Sequence, residues 1–409
     1  MRPTTGYEDH QEYSTRAEET AFLSEVAADT EATVEIAGYS TLGNPIWCVT
    51  LGNPEGPTFM LQGAVHGREP SGREAALAWI RDLAYDTSTA TAEFLANHHI
   101  VVVPTINTDG IEPPRHRNNA NDVNINRNWH QLTELEARVV RRVHQRYQPD
   151  LVLDLHEWDT KTVEANVAYN PSTRSFVTPR PGLAALGTAL VEKLDDVAGD
   201  HGYEIYPYPQ LATQGKYTDA AAVDHRLGLL LEMIQFQIAI PDRITFLQAL
   251  FTELMAWHAA NATEIAAARQ QSLQDAIDGV TPLMRPCLGV PTWEVIPDPG
   301  SYTIPDGWEI PQELVDLHGI EIIGRTVSTR QAARQTIAAL FDPESTQYIV
   351  GTEWLPTPPP PAPASQNLSM TVKRDGIRRR IIAAYTKRDG IRQRVTEAYV
   401  KRDGIRQRV

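Results

Sequence analysis

Four short runs of this sequence are dominated by apolar residues: Thr58–Val65, Ile100–Ile106, Leu151–Leu155 and Leu227–Ile234. A strand with one wet face alternates apolar and polar side chains. Runs without alternation have to be covered on both sides, the condition met in parallel sheets flanked by helices. The intervening stretches supply those helices, over Pro70–Tyr85, Thr133–Tyr147, Pro181–Ala198 and Arg243–Arg269, and Gly43–Leu51 reads as a further strand. The expected class is α/β: a mixed, largely parallel twisted sheet with helices on both faces.

A chain of 409 residues has room for two or three domains. The α/β elements occupy 1–280. A smaller unit, 281–354, carries SYTIPDGWEIPQELVDLHGIEIIGRT, whose alternating apolar residues around one short helix suggest an α+β module packed on the first. Residues 355–370 form a proline run without periodicity, a semi-rigid spacer. From 371 to 409 comes a repeat of period 14, in which KRDG starts at Lys373, Lys387 and Lys401. Asp-Gly between short strand-like stretches signals tight hairpins, so a small β-repeat tail is expected, too small to be stable unless it docks.

Charge divides the chain. The tail holds three Lys and ten Arg against three Asp and one Glu, a surplus of nine positive charges on a chain whose net charge is −15. The acidic body is a poor nucleic-acid binder, whereas the tail suits a polyanion or a larger assembly. No window approaches the ~18 uncharged apolar residues of a membrane helix, and no apolar stretch follows the N-terminus, so neither a membrane span nor a secretory (Sec) signal is expected. Two cysteines, Cys48 and Cys287, are too few for a disulfide framework or a Cys-built zinc site. Any metal must be held by His and carboxylate.

Four segments offer such chemistry. His66 and Glu69, three apart at a strand-to-helix turn, can point at one ion. His156, in Asp154-Leu155-His156, falls at the end of a buried strand, where open α/β sheets place their ligands. Two His and one Glu leave a fourth tetrahedral position open, the arrangement of a catalytic zinc. A dense amide and guanidinium stretch, Arg117 to Trp129, is either a solvated turn or a site for an anion, since the planar fork of Arg matches a carboxylate. Glu232, alone in the apolar run Leu227–Ile234, should have a raised pKa, which a general base working near neutrality requires.

In order and spacing over Ala32–Arg269, these segments resemble the zinc carboxypeptidase family (funnelins). That family shows HxxE, an Asn-Asp-Gly turn, an Arg ahead of G-V-D-L-N-R-N-(F/W), a strand-end DLH and a late strand carrying Glu. The resemblance implies one Zn2+ per chain on His66, Glu69 and His156. It implies Arg117 on the scissile carbonyl, Asn126 and Arg127 on the terminal carboxylate of a peptide, and Glu232 as general base and acid. It further implies an auxiliary anion-binding role for Arg68 and a substrate-capping role for Tyr217.

Three positions depart from the pattern. Asn124 stands where the family has an Asp that orients a ligating His, Asp122 replaces the preceding Gly, and Glu157 follows His156 in place of a small polar residue. Lys216 and Arg226 precede Glu232; if either faces inward, acidic terminal residues are preferred. Short basic β repeats also resemble the ends of phage structural proteins. The expected function is therefore a zinc carboxypeptidase acting on peptides or peptidoglycan stem peptides (muropeptides) as a virion tail component. A cytoplasmic peptidase is the alternative location. The rival functions are an amidase or deacylase on the same fold, and a structural protein with a degenerate site.

Overall fold

The computed structural model describes residues 4–10, 12–174, 181–208, 215–288, 292–352 and 354, together with the backbone of six short strands between 369 and 408. Two compact units divide the chain, Met1–Thr357 and Pro358–Val409.

The first unit is built on one eight-stranded sheet. Its strands in chain order are β1 (Thr33–Tyr39), β2 (Pro45–Gly52), β3 (Thr58–Gly63), β4 (His99–Val103), β5 (Leu151–Trp158), β6 (Val167–Pro171), β7 (Ile205–Pro207) and β8 (Leu227–Ile234). Across the sheet they run β1-β2-β4-β3-β5-β8-β6-β7. The central four, β4-β3-β5-β8, are mutually parallel and buried at almost every position. These are the four runs that lack alternation. β1 and β2 add antiparallel at one edge, and β6 pairs antiparallel with β8 near the other. β1, β6 and β7 were not anticipated: β1 is only half-buried, and β7 is three residues long with an exposed end.

Separate apolar clusters cover the two faces. One joins Leu61, Leu153 and Leu229 of the sheet to Leu77, Leu190 and Phe251 of three helices. The other places Met60, Val101 and Val152 against Val139 and Val140 of helix Leu135–Tyr147. The single helix expected over Arg243–Arg269 is two, Ile240–Ala260 and Ala262–Ile277, divided at Asn261, whose φ of −108° and ψ of 8° leave the α-helical basin.

Residues 281–354, expected as a small α+β module packed on the α/β body, lie in the same compact unit as that body. Leu314, Leu317, Ile337 and Leu340 belong to the second cluster, alongside Cys48 and Val139 of the body. The apolar positions of its alternating pattern are buried against the body.

In the second unit, three antiparallel hairpins pair Ser369–Arg374 with Ile377–Ile382, Thr386–Arg388 with Ile391–Gln393, and Tyr399–Arg402 with Ile405–Arg408. Pairing of Arg374 with Ile377, Arg388 with Ile391 and Arg402 with Ile405 has the spacing of a two-residue turn. The Asp-Gly pairs themselves, and most of the proline run, lie outside the described residues.

Candidate metal centre and anion site

The C-terminal ends of β3, β5 and β8 lie side by side, with Gly63 opposite Leu155 and His156 opposite Glu232. β3 leaves the sheet through Ala64, whose φ of +46° turns the chain sharply toward the strand ends. Such a conformation strains a residue bearing a Cβ by about 1 kcal/mol or more. The next turn holds His66 and Glu69 and touches the Asn107–Gly110 turn so closely that a Cβ on Gly67 would meet the carbonyl of Gly110 at 2.3 Å. Only glycine permits that approach, which carries the segment leading to Arg117 over Glu69.

His66, Glu69 and His156 are each 2% exposed, and their ligand atoms all lie within 4.8 Å of one another. Nδ1 of His66 and Nδ1 of His156 both stand 2.9 Å from Oε2 of Glu69, and 3.2 Å apart. Their far nitrogens face acceptors. Nε2 of His66 is 3.0 Å from Oδ1 of Asn124, and Nε2 of His156 is 3.0 Å from Oδ2 of Asp154. A carboxylate has no proton to give, so Nε2 of His156 carries one, and Nδ1 is the nitrogen that would bind a metal in exchange for its own proton. Two inward imidazole nitrogens and a carboxylate oxygen, with both outer nitrogens held, form a donor set that fits zinc.

The electrostatics agree. Burial alone would raise the Glu69 carboxyl, but His66 and hydrogen bonds from both rings hold it well below the usual range. Burial opposes charge on His156 as well, yet Asp154 and Glu69 raise its pKa well above the ordinary value. Burial lowers that of His66. The pocket thus draws one positive charge to the point where the three ligands meet. Glu232 is 8% exposed, and burial pushes its pKa up to about 8, with His156 and Arg117 pulling the other way and Glu69 adding to the rise. Arg117, partly exposed, donates from Nη1 to Oε1 of Glu69 at 2.9 Å.

The departures have structural reasons. Asn124 keeps the geometry of the expected acceptor, since Oδ1 receives the N–H of Asn126 at 2.9 Å as well as facing His66. Asp122 has a φ of +59°, a conformation Asp tolerates better than most residues, and its carbonyl accepts from the Asn118 amide. Glu157 turns away from the ligands. Its Oε1 accepts from Ser71, at the start of helix Ser71–Tyr85, and its Oε2 accepts from Gln235 at 3.0 Å and Arg243 at 2.5 Å.

Asn126 joins the metal cluster to the anion side. Its Nδ2 is 3.2 Å from Nε2 of His156, while its Oδ1 accepts from Trp129 and from the backbone N–H of Tyr217, each at 2.9 Å. Arg127 follows on the same short turn, its basicity lowered by burial and by Arg117. The assignment of Tyr217 as a cap does not fit. Its ring is 2% exposed and edge-on to Trp129 and His144, held within the core. Tyr208 lies within electrostatic reach of the site: burial and Glu232 push its hydroxyl up to about 12, with Arg127 and Arg117 opposing. No sequence pattern marks Tyr208, beyond its position between two prolines in a segment leading to Lys216. Arg68 is exposed and makes no hydrogen bond or ion pair among the described residues. Arg226 points away, donating to the carbonyl of Pro149 and to Gln148. Lys216 is buried beside Arg127.

Residues 19–205 match the family described as zinc carboxypeptidase. Carboxypeptidase SOL1 of Arabidopsis thaliana is 37% identical over 100 residues, covering 22% of this chain and 20% of that protein. Carboxypeptidase 2 of Trichophyton tonsurans is 35% identical over 98 residues, covering 24% and 18%. The matched stretch thus spans about a fifth of these relatives' length. Among solved structures, a metallocarboxypeptidase from Burkholderia cenocepacia superposes with a TM-score of 0.50 at 21% identity, over 59% of this chain and 68% of that one. This last likeness is one of fold.

Proposed function

We propose, on the premise that residues 19–205 belong to the zinc carboxypeptidase family, that this chain is a zinc-dependent carboxypeptidase that removes the C-terminal residue of peptides. The observation that carries the reading is the meeting of His66, Glu69 and His156 within 4.8 Å, beside a Glu232 whose pKa is raised to about 8. The family implies one zinc per chain, and these three residues would hold it. Bound there, zinc supplies Lewis acidity to the scissile carbonyl and the attacking water.

The chain's own groups do the rest. Glu232 takes the proton from the attacking water and returns it to the leaving amine. Arg117 turns its guanidinium onto the oxygen that gains charge in the transition state, where loss of one such donor typically costs about 10²–10³ in rate. Arg127, steadied through the Asn126 turn, pairs with the free terminal carboxylate and confines the cut to the chain end. Tyr208 closes over the bound residue and reduces access of water.

For the natural substrate we propose stem peptides of peptidoglycan, reached by the protein as part of a virion. The support is the basic repeat tail behind a proline-rich spacer, an arrangement suited to mounting an enzyme on an assembly. No described helix is long and apolar enough to cross a membrane. The test is a panel of free and amidated peptides and muropeptides, incubated with zinc-loaded protein and read by mass. Loss of one terminal residue from free but not amidated chains is expected. Protein that binds no zinc and leaves every substrate intact would contradict the catalytic reading.

A further inference from the structure

The anion side of the site holds more positive charge than one carboxylate uses. Lys216 is 5% exposed, and it is laid against the turn that carries Arg127 by its two neighbours. Tyr217 donates its backbone N–H to Oδ1 of Asn126 at 2.9 Å. Gly215, with a φ of +74°, lies so close that a Cβ there would meet the carbonyl oxygen of Arg127 at 2.6 Å. The Lys216 ammonium stands 5.4 Å from the centre of the Tyr208 ring, whose hydroxyl feels the charges of Glu232 and Arg127.

Among the described residues this ammonium makes no hydrogen bond or ion pair. Asp219 and Glu232 act on it through space, against burial and Arg127, which together bring its pKa down to about 8. The side chain is buried, yet its Nζ is not fully enclosed, so the charged end is open to an incoming group. An anion that arrives there completes a charge-assisted hydrogen bond. The neighbouring Arg127 turn and the Tyr208 ring put that anion next to the terminal carboxylate, on the side chain of the same substrate residue.

We infer that Lys216 is a specificity-determining residue that receives the side-chain carboxylate of a dicarboxylic C-terminal residue, aspartate or glutamate, while Arg127 holds its α-carboxylate. The inference rests on the carboxypeptidase reading for its catalytic consequence, but not for the binding itself. An ammonium–carboxylate hydrogen bond is charge-assisted, and a site built to make one rejects the neutral isostere that leaves it unpaired.

Two measurements on the full zinc-loaded chain separate the claims. In the first, peptides identical except for a terminal Glu, Gln or Leu are compared by kcat/KM. Glu should exceed Gln by at least tenfold. In Lys216→Met the Glu-to-Gln ratio should fall to about one, Lys216→Arg should restore it, and Lys216→Glu should shift preference to terminal Lys. The ratio is internal to each variant, so a general loss of fold or turnover does not imitate the effect. In the second, N-acetylglutamate and N-acetylglutamine are titrated by calorimetry, with N-acetylglutamate expected to bind at least tenfold tighter in wild type but not in Lys216→Met. A wild type that cleaves Glu, Gln and Leu ends equally well overturns the inference and leaves the carboxypeptidase intact. Selective binding without any cleavage overturns the enzyme and keeps the dicarboxylate site. Equal binding of the two probes overturns the inference whatever the cleavage shows.

Discussion

At the metal end of the site, Glu232 and His156 lie within neighbouring sheet strands, and His66 and Glu69 follow within six residues of the strand between Thr58 and Gly63. At the anion end, Arg127 lies in a short turn, Tyr208 directly after β7, and Lys216 directly before helix Tyr217–Val223. Strands in register place their side chains to within tenths of an ångström, the tolerance a metal demands. Connections are set by packing between distant segments and can change without disturbing the sheet. In the proposed function, chemistry is assigned to the rigid end and substrate choice to the end built from connections.

The strongest way to break this comparison is Glu232→Gln. Zinc content should stay at one per chain by elemental analysis, while kcat falls by about 10³–10⁴-fold. Near-normal turnover would mean that the rigid end does not hold the base. A large effect of another kind concerns the packing beneath both ends. Burial pushes the pKa of His130 to about 4, of His318 to about 3 and of His258 to about 4. In the unfolded chain these rings titrate near 6.5, so between those values the unfolded state binds more protons. Stability is full above about pH 6.5 and should drop by several kcal/mol as the pH falls toward 4, measured by urea unfolding across that range. A flat profile would show that these rings are not held neutral.

At the anion end, Arg127→Ala should lower kcat/KM for free-ended peptides by about 10–10²-fold, mostly through KM, and reduce discrimination against amidated ends. An unchanged preference for free ends would move the clamp elsewhere. The smallest expected effect sharpens the metal end. In Asn124→Asp a full negative charge faces Nε2 of His66, and zinc affinity measured by chelator competition should rise by roughly tenfold. No change would mean that the amide already serves as well as a carboxylate.

Much of the metal end was legible because its signals are local. HxxE needs only one turn, a strand-end His needs only a strand, and a lone acid in an apolar run declares its own desolvation. The anion end was only half legible. Arg127 stood out in an Asn-rich stretch, yet Tyr217 and Tyr208 are nine residues apart in the same segment, and nothing in that segment says which ring is in the core. Tyr217 is packed between Trp129 and His144, which come from two other parts of the chain.

By itself the sequence determined the central parallel strands, the helices on either side, and the three residues able to share a metal, because apolar pattern and short spacing act through neighbours along the chain. Only the tertiary structure decided that Tyr217 is packed in the core, that Lys216 lies beside Arg127 while Arg226 does not, and which side chains of the body residues 281–354 pack against. These depend on which surfaces meet after distant segments pack, and the free energy of that meeting belongs to the pair of surfaces.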